Sequence, residues 1–368
     1  MKIKFVDLQR QYHRHQQELD SAISKILESG DFIGGLKNPE VNNFENSFAS
    51  FLGVKHCIAC GNGTDALEIS LRAMGIGPGD EVIVPALTWI STAECVCANG
   101  ATPVFADIDP ETYTISPAEI ERKITPRTKA VIPVHLYGLP AGMPEICALA
   151  EKHNILILED CAQSHGAACH GRMTGSFGAM AEFSFYPGKN LGAYGDAGGI
   201  VTNDDDLAAR ARMIAQHGQS GRKFHHQLSG RNSRMDGLQA AILNVKLPYL
   251  REWTQARRRI AAKFQEGLKG SRFVLPKTPD RYEPVWHLFA ILSESRDADR
   301  AALAEAGIPT GIQYPVPLPL LDAYAYLGGK PEEYPAAVKV SRQVLTLPLF
   351  PEMADEEAEY VIEKVRSL

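Results

Sequence analysis

The sequence has no run of apolar residues long enough to cross a bilayer, which argues against an integral membrane protein. Its first residues, Met1–Gln17, are polar and basic and have no apolar segment, so we expect no signal peptide. Neither sign of charge forms a long run, and the net charge is −6, which argues against binding to nucleic acid or to a membrane surface. Together these absences favour a cytoplasmic protein.

Cysteine is sparse and badly spaced for a metal site. The chain has seven cysteines, an odd number, mostly in apolar strand or helix segments. Cys57 and Cys60 form a C-x-x-C pair without a second pair at zinc spacing, and Cys95 and Cys97 are too few for a site. We therefore expect reduced, buried, inert thiols and no metal ion.

Short apolar strand patterns alternate with helix patterns from residue 55 to residue 216. This alternation predicts an α/β protein with a mostly parallel sheet that helices cover on both faces. A chain of 368 residues is long enough for two domains. We place the boundary near residue 250, beside a long helix predicted over 235–259 and bent at Pro248, which divides the chain into 1–250 and 251–368.

The N-terminal part is predicted to be helical. Residues 11–29 form one predicted helix, with an apolar stripe made of Leu19, Ile23, Ile26 and Leu27.

The most informative stretch runs from Glu182 to Asn203. A short strand, Phe183–Tyr186, ends at a Pro-Gly turn that carries one lysine, Lys189, with no basic neighbour. Partial burial would lower the pKa of this lysine and make it a nucleophile toward carbonyl groups. The alternative is an ordinary surface lysine, and this stretch alone does not decide between them.

A glycine-containing turn, Gly61-Asn62-Gly63-Thr64, follows a predicted strand and opens a predicted helix. Its backbone N–H groups and the helix N-terminus favour an anion. The turn also fits the G-x-G-x-x-A dinucleotide fingerprint, but it does not lie at the start of the fold. The acidic pair Asp80-Glu81 precedes the next strand, whereas a ribose-binding acid lies at the far end of that strand. A phosphate site is favoured over NAD and over a purely structural turn.

Other strand ends carry candidate ligand-binding residues. The stretch 155–163, I-L-I-L-E-D-C-A-Q, places Asp160 at the edge where open α/β sheets bind ligands, although it could instead cap the next segment. We expect its neighbour Glu159 to face away from the site. Trp89 could stack on a planar ligand or pack in the core. His135 is expected to be structural or supporting rather than catalytic.

These segments suggest one cofactor, pyridoxal phosphate. It needs a lysine for its aldehyde, a carboxylate for its pyridine nitrogen, an anion site for its phosphate and a plane against its ring. The residues for these four functions lie in separate segments: Lys189, Asp160, the Gly63-Thr64 turn and Trp89. Ser184 could add a hydroxyl to the phosphate site. No metal-ligand set or Ser-His-Asp arrangement in the sequence competes with this interpretation.

Over nearly its whole length the sequence resembles the sugar aminotransferases of the DegT/DnrJ/EryC1/StrS family. The matching motifs are F-V-D-L near the start, G-N-G-T-D-A-L at 61–67, G-P-G-D-E-V-I-V-P at 77–85, I-T-P-R-T-K-A at 124–130, E-D-C-A-Q-S-H-G-A at 159–167, F-S-F-Y-P-G-K-N-L-G at 183–192, N-S-R-M-D-G-L-Q-A-A-I-L at 232–243 and P-T-G-I-Q-Y-P-V-P-L at 309–318. The resemblance implies the fold type I (aspartate-aminotransferase-like) architecture of pyridoxal-phosphate enzymes, with a smaller C-terminal α+β domain.

The resemblance also implies roles for the cofactor site. Lys189 aligns with the lysine that bonds the cofactor and later moves protons, and Asp160 aligns with the acid on the pyridine nitrogen. Gln163 aligns with a residue near the cofactor's phenolic oxygen, and Trp89 with the ring-stacking aromatic. The residues that align with phosphate contacts are Gly63, Thr64 and Ser184.

Further positions concern the partner subunit and the substrate. Asn232 aligns with an asparagine that reaches the phosphate from the second subunit, which implies a homodimer with active sites at the interface. Tyr186, Arg234 and Tyr314 fall where relatives contact the sugar nucleotide or the amino donor. Gln313 replaces a sugar-side histidine of many relatives, and this difference leaves the substrate open.

By resemblance, the expected reaction moves an amino group from L-glutamate to a nucleotide-linked keto-sugar, in amino-sugar biosynthesis for a surface polysaccharide or a glycosylated metabolite. Lys189 favours transamination, because dehydrating relatives carry histidine at that position. Similarity around Lys189 and in 212–219 favours 3-keto over 4-keto acceptors. The alternatives are a cyclitol ketone as acceptor, a non-catalytic cofactor-binding regulator, and an NAD-dependent oxidoreductase that rests only on the glycine match.

Overall fold

The computed structural model describes residues 1–35, 37–221 and 224–368, which form a large central sheet and two small ones. The strands of the described chain are β1 (His56–Cys60), β2 (Glu81–Pro85), β3 (Thr102–Ala106), β4 (Thr128–Val131), β5 (Leu156–Asp160), β6 (Ala168–Cys169), β7 (Arg172–Met173), β8 (Met180–Ser184), β9 (Gly198–Thr202), β10 (Tyr282–Glu283), β11 (Phe289–Leu292) and β12 (Val344–Leu347). The central sheet has the order β1-β9-β8-β5-β4-β2-β3. Its pairs are parallel except where β9 meets β1 and β8, so the mostly parallel sheet is confirmed.

Helices cover both faces of this sheet. Those in the described residues are α1 (Leu8–Arg14), α2 (Gln16–Ser29), α3 (Pro39–Leu52), α4 (Gly63–Ala73), α5 (Ser91–Ala98), α6 (Pro117–Lys123), α7 (Met143–His153), α8 (Asp205–Ala215), α9 (Gly237–Lys246), α10 (Leu250–Gly267), α11 (Arg296–Glu305), α12 (Pro335–Gln343) and α13 (Asp355–Arg366). Strand residues alternate between the two faces. Ile58 of β1 packs in the cluster that contains α4, α5 and α8, whereas Cys57 and Ala59 pack in the cluster that contains α3 and α9.

A further apolar cluster lies around the two-stranded sheet of β11 and β12. Phe264 of α10 and Val361 of α13 pack there with Phe289 and Leu345. Ile3 joins the same cluster, and its backbone N–H donates to the Gly307 carbonyl at 2.9 Å. The N-terminal segment of the chain therefore packs against the C-terminal part that contains α10, β11, β12 and α13. The division of the chain at residue 250 stays a prediction.

Two predicted helices differ from the observed ones. The helix predicted over 11–29 is interrupted at His15, and Leu27 is 61% exposed rather than part of the buried stripe. The long helix predicted over 235–259 is two helices, α9 and α10, joined by a 3₁₀ turn at Leu247–Tyr249. Pro248 lies in that turn. Because proline has no backbone N–H, it interrupts the α-helical hydrogen bonding there.

The thiols and the helices agree with the expectations from composition. All seven cysteines are free, and five are buried, whereas Cys97 and Cys147 are half-buried. Among the residues described, no helix combines the length and the apolar character that crossing a bilayer requires.

The carboxyl ends of four strands meet at one edge of the sheet. Gly61 follows β1, Thr88 follows β2, Asp160 ends β5 and Ser184 ends β8. Open α/β sheets bind ligands at this edge, because polar side chains and helix N-termini converge there. The fold thus brings together segments that are far apart in the sequence.

A buried lysine of α9 supports the turn that follows β8. Lys246 Nζ donates to the Gly192 carbonyl at 2.7 Å and lies 4.1 Å from the ring centroid of Tyr194. Burial lowers the pKa of Lys246 to about 7. Because the unfolded chain binds this proton more tightly than the folded chain, this lysine makes stability rise with pH above about 7.

We predict that Lys246→Met removes the rise in folding stability that this lysine causes above about pH 7. Urea unfolding followed by circular dichroism at pH 7 and 9.5 should show that the wild type gains more stability, or loses less, than the variant as the pH rises. Lys129→Met, at an exposed lysine of β4, is the matched control and should behave as the wild type does. Equal pH dependence in wild type and Lys246→Met would contradict the buried, easily deprotonated lysine.

Candidate active site

A cavity of about 520 Å³ opens at the carboxyl edge of the sheet. Most of the predicted site residues line it: Gly63, Thr64, Trp89, Asp160, Gln163, Ser184, Tyr186, Lys189 and Tyr314. They come from the ends of four strands and from the segment after α11. The strand topology therefore brings these predicted residues together at one cavity.

Lys189 lies in a tight turn directly after β8. Its backbone N–H donates to the Tyr186 carbonyl at 2.9 Å. The turn closes over Gly192, where an added Cβ would lie 2.4 Å from the Pro187 carbonyl oxygen. Burial lowers the pKa of Lys189, and the nearby carboxyl groups of Glu182 and Asp160 oppose this only in part. A lowered pKa increases the share of free amine, the form that attacks a carbonyl group.

Asp160 ends β5 and is buried beside the cavity. Its Oδ2 accepts a hydrogen bond from the Thr92 hydroxyl at 2.9 Å, and its Oδ1 accepts one from the Ala162 backbone N–H at 3.2 Å. Burial raises the pKa of Asp160, whereas these donors and the charge of Lys189 favour the ionised form. The bond to Ala162 shows that Asp160 also caps the following segment while it faces the cavity.

The N-terminus of α4 forms a site for an anion. Asn62 caps the helix by accepting the Asp65 N–H at 2.8 Å, and Gly63 is the first helical residue. A Cβ on Gly63 would lie 2.8 Å from Ser184 Cβ, so the close approach of α4 to β8 requires glycine. The Thr64 hydroxyl, hydrogen-bonded to Ser91 at 2.7 Å, lines the same part of the cavity. N–H groups and hydroxyls together suit a phosphate.

Aromatic side chains form the mouth of the cavity. Trp89 is 58% exposed, and its ring centroid lies 5.9 Å from that of Tyr314. This exposure excludes the alternative that Trp89 packs in the core. Tyr186 is exposed at the same opening. Gln163 donates to the Tyr314 hydroxyl at 3.4 Å and accepts the Tyr137 N–H at 2.6 Å, so it links the mouth to the cavity wall.

Three predicted site residues do not line the cavity of their own chain. Asn232 is exposed, and its backbone pairs with Gln216. Arg234 is half-buried. Gln313 is half-buried, and its carbonyl accepts a hydrogen bond from the Tyr137 hydroxyl. Its side chain lies against Gly311, where an added Cβ would be 2.6 Å from Nε2.

His135 and Glu159 form a buried structural pair, as expected. Glu159 accepts the backbone N–H groups of Gly175, Phe177 and Gly178 at 2.7 to 2.8 Å. His135 Nδ1 accepts the Ala141 N–H, so its Nε2 carries the hydrogen that is donated to Glu159 at 3.1 Å. Cys161 lies beside this pair, but the hydrogen bonds already occupy the atoms that a metal ion would need.

Sequence reasoning missed several residues of the site. Thr92 orients Asp160, Ser91 holds Thr64, and Glu182 lines the cavity floor. The period of two along β8 places Glu182 on the same face as Ser184, so a signal for it was present. Thr92 and Ser91 carry no such signal, because they reach the site only through the packing of α5 against α4.

The arrangement fits pyridoxal phosphate. An amine and a buried carboxylate face one cavity, and a glycine-started helix with two hydroxyls provides the anion site. An aromatic ring stands exposed at the mouth. In this sheet topology, these groups define a fold type I pyridoxal-phosphate enzyme.

Comparisons with known proteins identify the family. Residues 13–366 match the model of the DegT/DnrJ/EryC1/StrS aminotransferase family, and the chain belongs to that family. It is 45% identical to the "Pleiotropic regulatory protein" of Geobacillus stearothermophilus, over 99% of this chain and 98% of the relative. It is 44% identical to the UDP-N-acetyl-3-dehydro-alpha-D-glucosamine 3-aminotransferase of Acidithiobacillus ferrooxidans, over 99% of this chain and 97% of the relative.

A solved structure agrees with this placement. The fold matches that of S. venezuelae DesV in complex with a ketimine intermediate, with a TM-score of 0.96 and 43% identity, over 100% of this chain and 98% of that one. Members of the family depend on pyridoxal phosphate. The chain is therefore a pyridoxal-phosphate-dependent sugar aminotransferase with the fold type I architecture.

We predict that Gly63→Ala weakens binding of pyridoxal phosphate by about tenfold or more, roughly 1.4 kcal/mol. The added Cβ would lie 2.5 Å from Glu182 Oε1, so the first turn of α4 must move away from Ser184. Absorbance titration of the apo-protein measures the affinity. Gly77→Ala is the control, because its nearest contact would be at 3.8 Å. Unchanged affinity in a folded Gly63→Ala variant would show that the anion site lies elsewhere.

Proposed function

We propose that this aminotransferase transfers an amino group from L-glutamate to a nucleotide-linked 3-keto-sugar. The observation that carries the proposal is the convergence of Lys189, Asp160 and the Gly63-Thr64 turn on one cavity. The similarity to a relative named for a UDP-linked 3-dehydro sugar supports the acceptor class. We place the reaction in the cytoplasm, where reducing conditions keep the free thiols reduced.

The predicted site residues at the cavity have separate parts in this chemistry. Bound pyridoxal phosphate supplies an aldehyde that takes up the amine and a ring that withdraws electrons from the reacting carbon. Asp160 would keep a proton at the ring nitrogen of the bound cofactor. Lys189 would hold the cofactor covalently at rest, and its free amine would be the base that takes the proton from Cα of glutamate. The same lysine would return a proton when the keto-sugar accepts the amine.

The remaining residues hold the ligands. Gly63, Thr64 and Ser184 would hold the phosphate, Trp89 would stack on the ring, and Gln163 would interact with the phenolic oxygen. Tyr186 and Tyr314 contact the sugar nucleotide at the open mouth, where both lie. Gln313 and Arg234 lie outside this cavity, and we propose that they contact the substrate once it fills the mouth.

The proposed functional unit is a homodimer with its active sites at the interface. Asn232 is exposed and outside the cavity of its own chain, as expected for a residue that serves the other subunit. Phe32 and Ile33 are also exposed, at 49% and 60%, and large apolar side chains of this kind are common in contacts between chains. In the dimer, Asn232 of the partner subunit reaches the phosphate.

We predict that Asn232→Ala lowers the affinity for pyridoxal phosphate several-fold, because the phosphate loses a hydrogen-bond donor. Sedimentation should give the mass of a dimer for the wild type and the variant. Asn43→Ala, at an exposed residue of α3, is the control. A monomeric wild-type protein with full cofactor affinity would contradict the shared site.

We predict that Lys189→Ala still binds pyridoxal phosphate but forms no covalent bond with it. Borohydride reduction followed by mass spectrometry should find the cofactor attached to Lys189 in the wild type and not in the variant. Transamination should fall by several orders of magnitude, because the proton carrier is lost. Transamination at the wild-type rate by the variant would disprove the role of Lys189.

The acceptor is tested with the wild type, glutamate, and a panel of UDP- and dTDP-linked 3-keto and 4-keto sugars. We expect amination of a 3-keto-sugar with release of 2-oxoglutarate. Preferred amination of a 4-keto-sugar or of a cyclitol ketone would overturn the proposed acceptor.

A further inference from the structure

Glu182 is a buried acidic residue of the cavity that has no part in the chemistry described so far. It lies on β8 with 1% of its surface exposed, and it lines the cavity floor. Its Oε2 has no hydrogen-bond partner among the described residues. A buried carboxyl oxygen without a partner costs free energy, so the site must offer it a partner when a ligand is bound.

Glu182 and Asp160 form a pair of neighbouring carboxyl groups. The two residues are register partners in the parallel pairing of β5 with β8, so their side chains leave the same face of the sheet side by side. The charge on one carboxyl group repels a charge on its neighbour, so ionisation of both is disfavoured in this buried place. We therefore infer that one member of the pair keeps its proton.

The hydrogen bonds decide which member keeps it. Asp160 accepts from the Thr92 hydroxyl and from the Ala162 N–H, and these donors stabilise its negative charge. Glu182 has an unpaired Oε2, and the Cys161 backbone is the hydrogen-bond partner that favours its charge. The proton therefore resides on Glu182, where it can be donated, and the charge resides on Asp160, where the cofactor's ring nitrogen needs it.

The surroundings of Glu182 support this assignment. Three buried thiols lie near enough to feel the charge of Glu182: Cys60 of β1, Cys95 of α5 and Cys161 after β5. Burial raises the pKa of each thiol, so all three are neutral. Burial and the charge of Asp160 raise the pKa of Glu182 well above its usual range, and the ammonium group of Lys189 opposes this only in part.

The position of the Glu182 carboxyl group indicates which group would accept a hydrogen bond from it. A Cβ on Gly63 would lie 2.5 Å from Glu182 Oε1, so this carboxyl group lies directly against the first residue of α4. That residue begins the anion site, and Ser184, two residues further along β8, completes it. A phosphate oxygen at this place is a strong acceptor for an acidic O–H.

We propose that Glu182 is a neutral carboxylic acid that binds the cofactor by donating a hydrogen bond to its phosphate group. Glu182 is then the protonated counterpart of the ionised Asp160, and each holds one end of the same ligand. The inference rests on the pyridoxal-phosphate cofactor of the family and not on the proposed sugar acceptor. A failed acceptor panel leaves it intact, and the experiments below use no sugar.

The first experiment compares pyridoxal phosphate with pyridoxal, which lacks the phosphate, as ligands of the apo-protein. Glu182→Leu should bind pyridoxal phosphate about tenfold or more weakly than the wild type, and pyridoxal equally well. Glu182→Gln should bind both within about threefold of the wild type, because its amide still donates. Glu305→Gln, at an exposed residue of α11, is the matched control.

Two results of this titration would overturn the proposal. If Glu182→Gln loses as much affinity as Glu182→Leu, the residue acts as a charged carboxylate. If Glu182→Leu weakens pyridoxal and pyridoxal phosphate equally, or weakens neither, the carboxyl group does not act on the phosphate.

A second measurement does not depend on the folding of Glu182→Leu. The infrared difference spectrum between wild type and Glu182→Gln, each with bound cofactor at pH 7.5, should contain the C=O band of a protonated carboxylic acid. Carboxylate bands in its place would show that Glu182 is ionised and would overturn the proposal.

Discussion

The burial of Lys189 beside two carboxyl groups is the constraint on which the rest of the site depends. Burial disfavours the charge of a lone ammonium group in this cavity, and two lone carboxylates would repel each other. The site balances these tendencies with one ionised acid, Asp160, held by Thr92 and Ala162. The strand order places Lys189 and the two carboxyl groups at the same edge of the sheet, and the glycine turn at Gly63 leaves a cavity beside them.

Much of the fold was predictable because local patterns agree with the tertiary structure. The alternation of strand and helix patterns from residue 55 to residue 216 predicted the mostly parallel sheet, because short apolar runs and amphipathic stripes are clear local signals. The break at Leu247–Tyr249 was predicted as a bend at Pro248, because proline is a strong local signal, although its 3₁₀ geometry was not predicted. The interruption at His15 was not predicted, because no proline or glycine marks it in the sequence.

The convergence of Lys189, Asp160 and Gly63 on one cavity was predictable from the sequence, and the contacts that support them were not. These three residues stand at strand or turn positions that the topology brings to the ligand-binding edge of the sheet. Thr92 and Ser91 act through α5, and their contacts depend on how that helix packs. Glu182 was predictable only in part. The alternation along β8 indicates which face of the sheet it occupies, but only the structure shows that its Oε2 is buried without a hydrogen-bond partner.

The antiparallel strand β9 gives the anion site an unusual support. β1 and β8, which carry the two halves of this site, are not neighbours in the sheet, because β9 lies between them. Gly198 begins β9, and a Cβ there would lie 2.3 Å from the Asn62 carbonyl oxygen. The missing side chain lets the turn after β1 lean across β9 toward Ser184. Gly198 does not line the cavity, yet its missing side chain sets how closely the turn after β1 approaches Ser184. Positions that are intolerant of substitution are therefore not confined to the residues that touch the ligand.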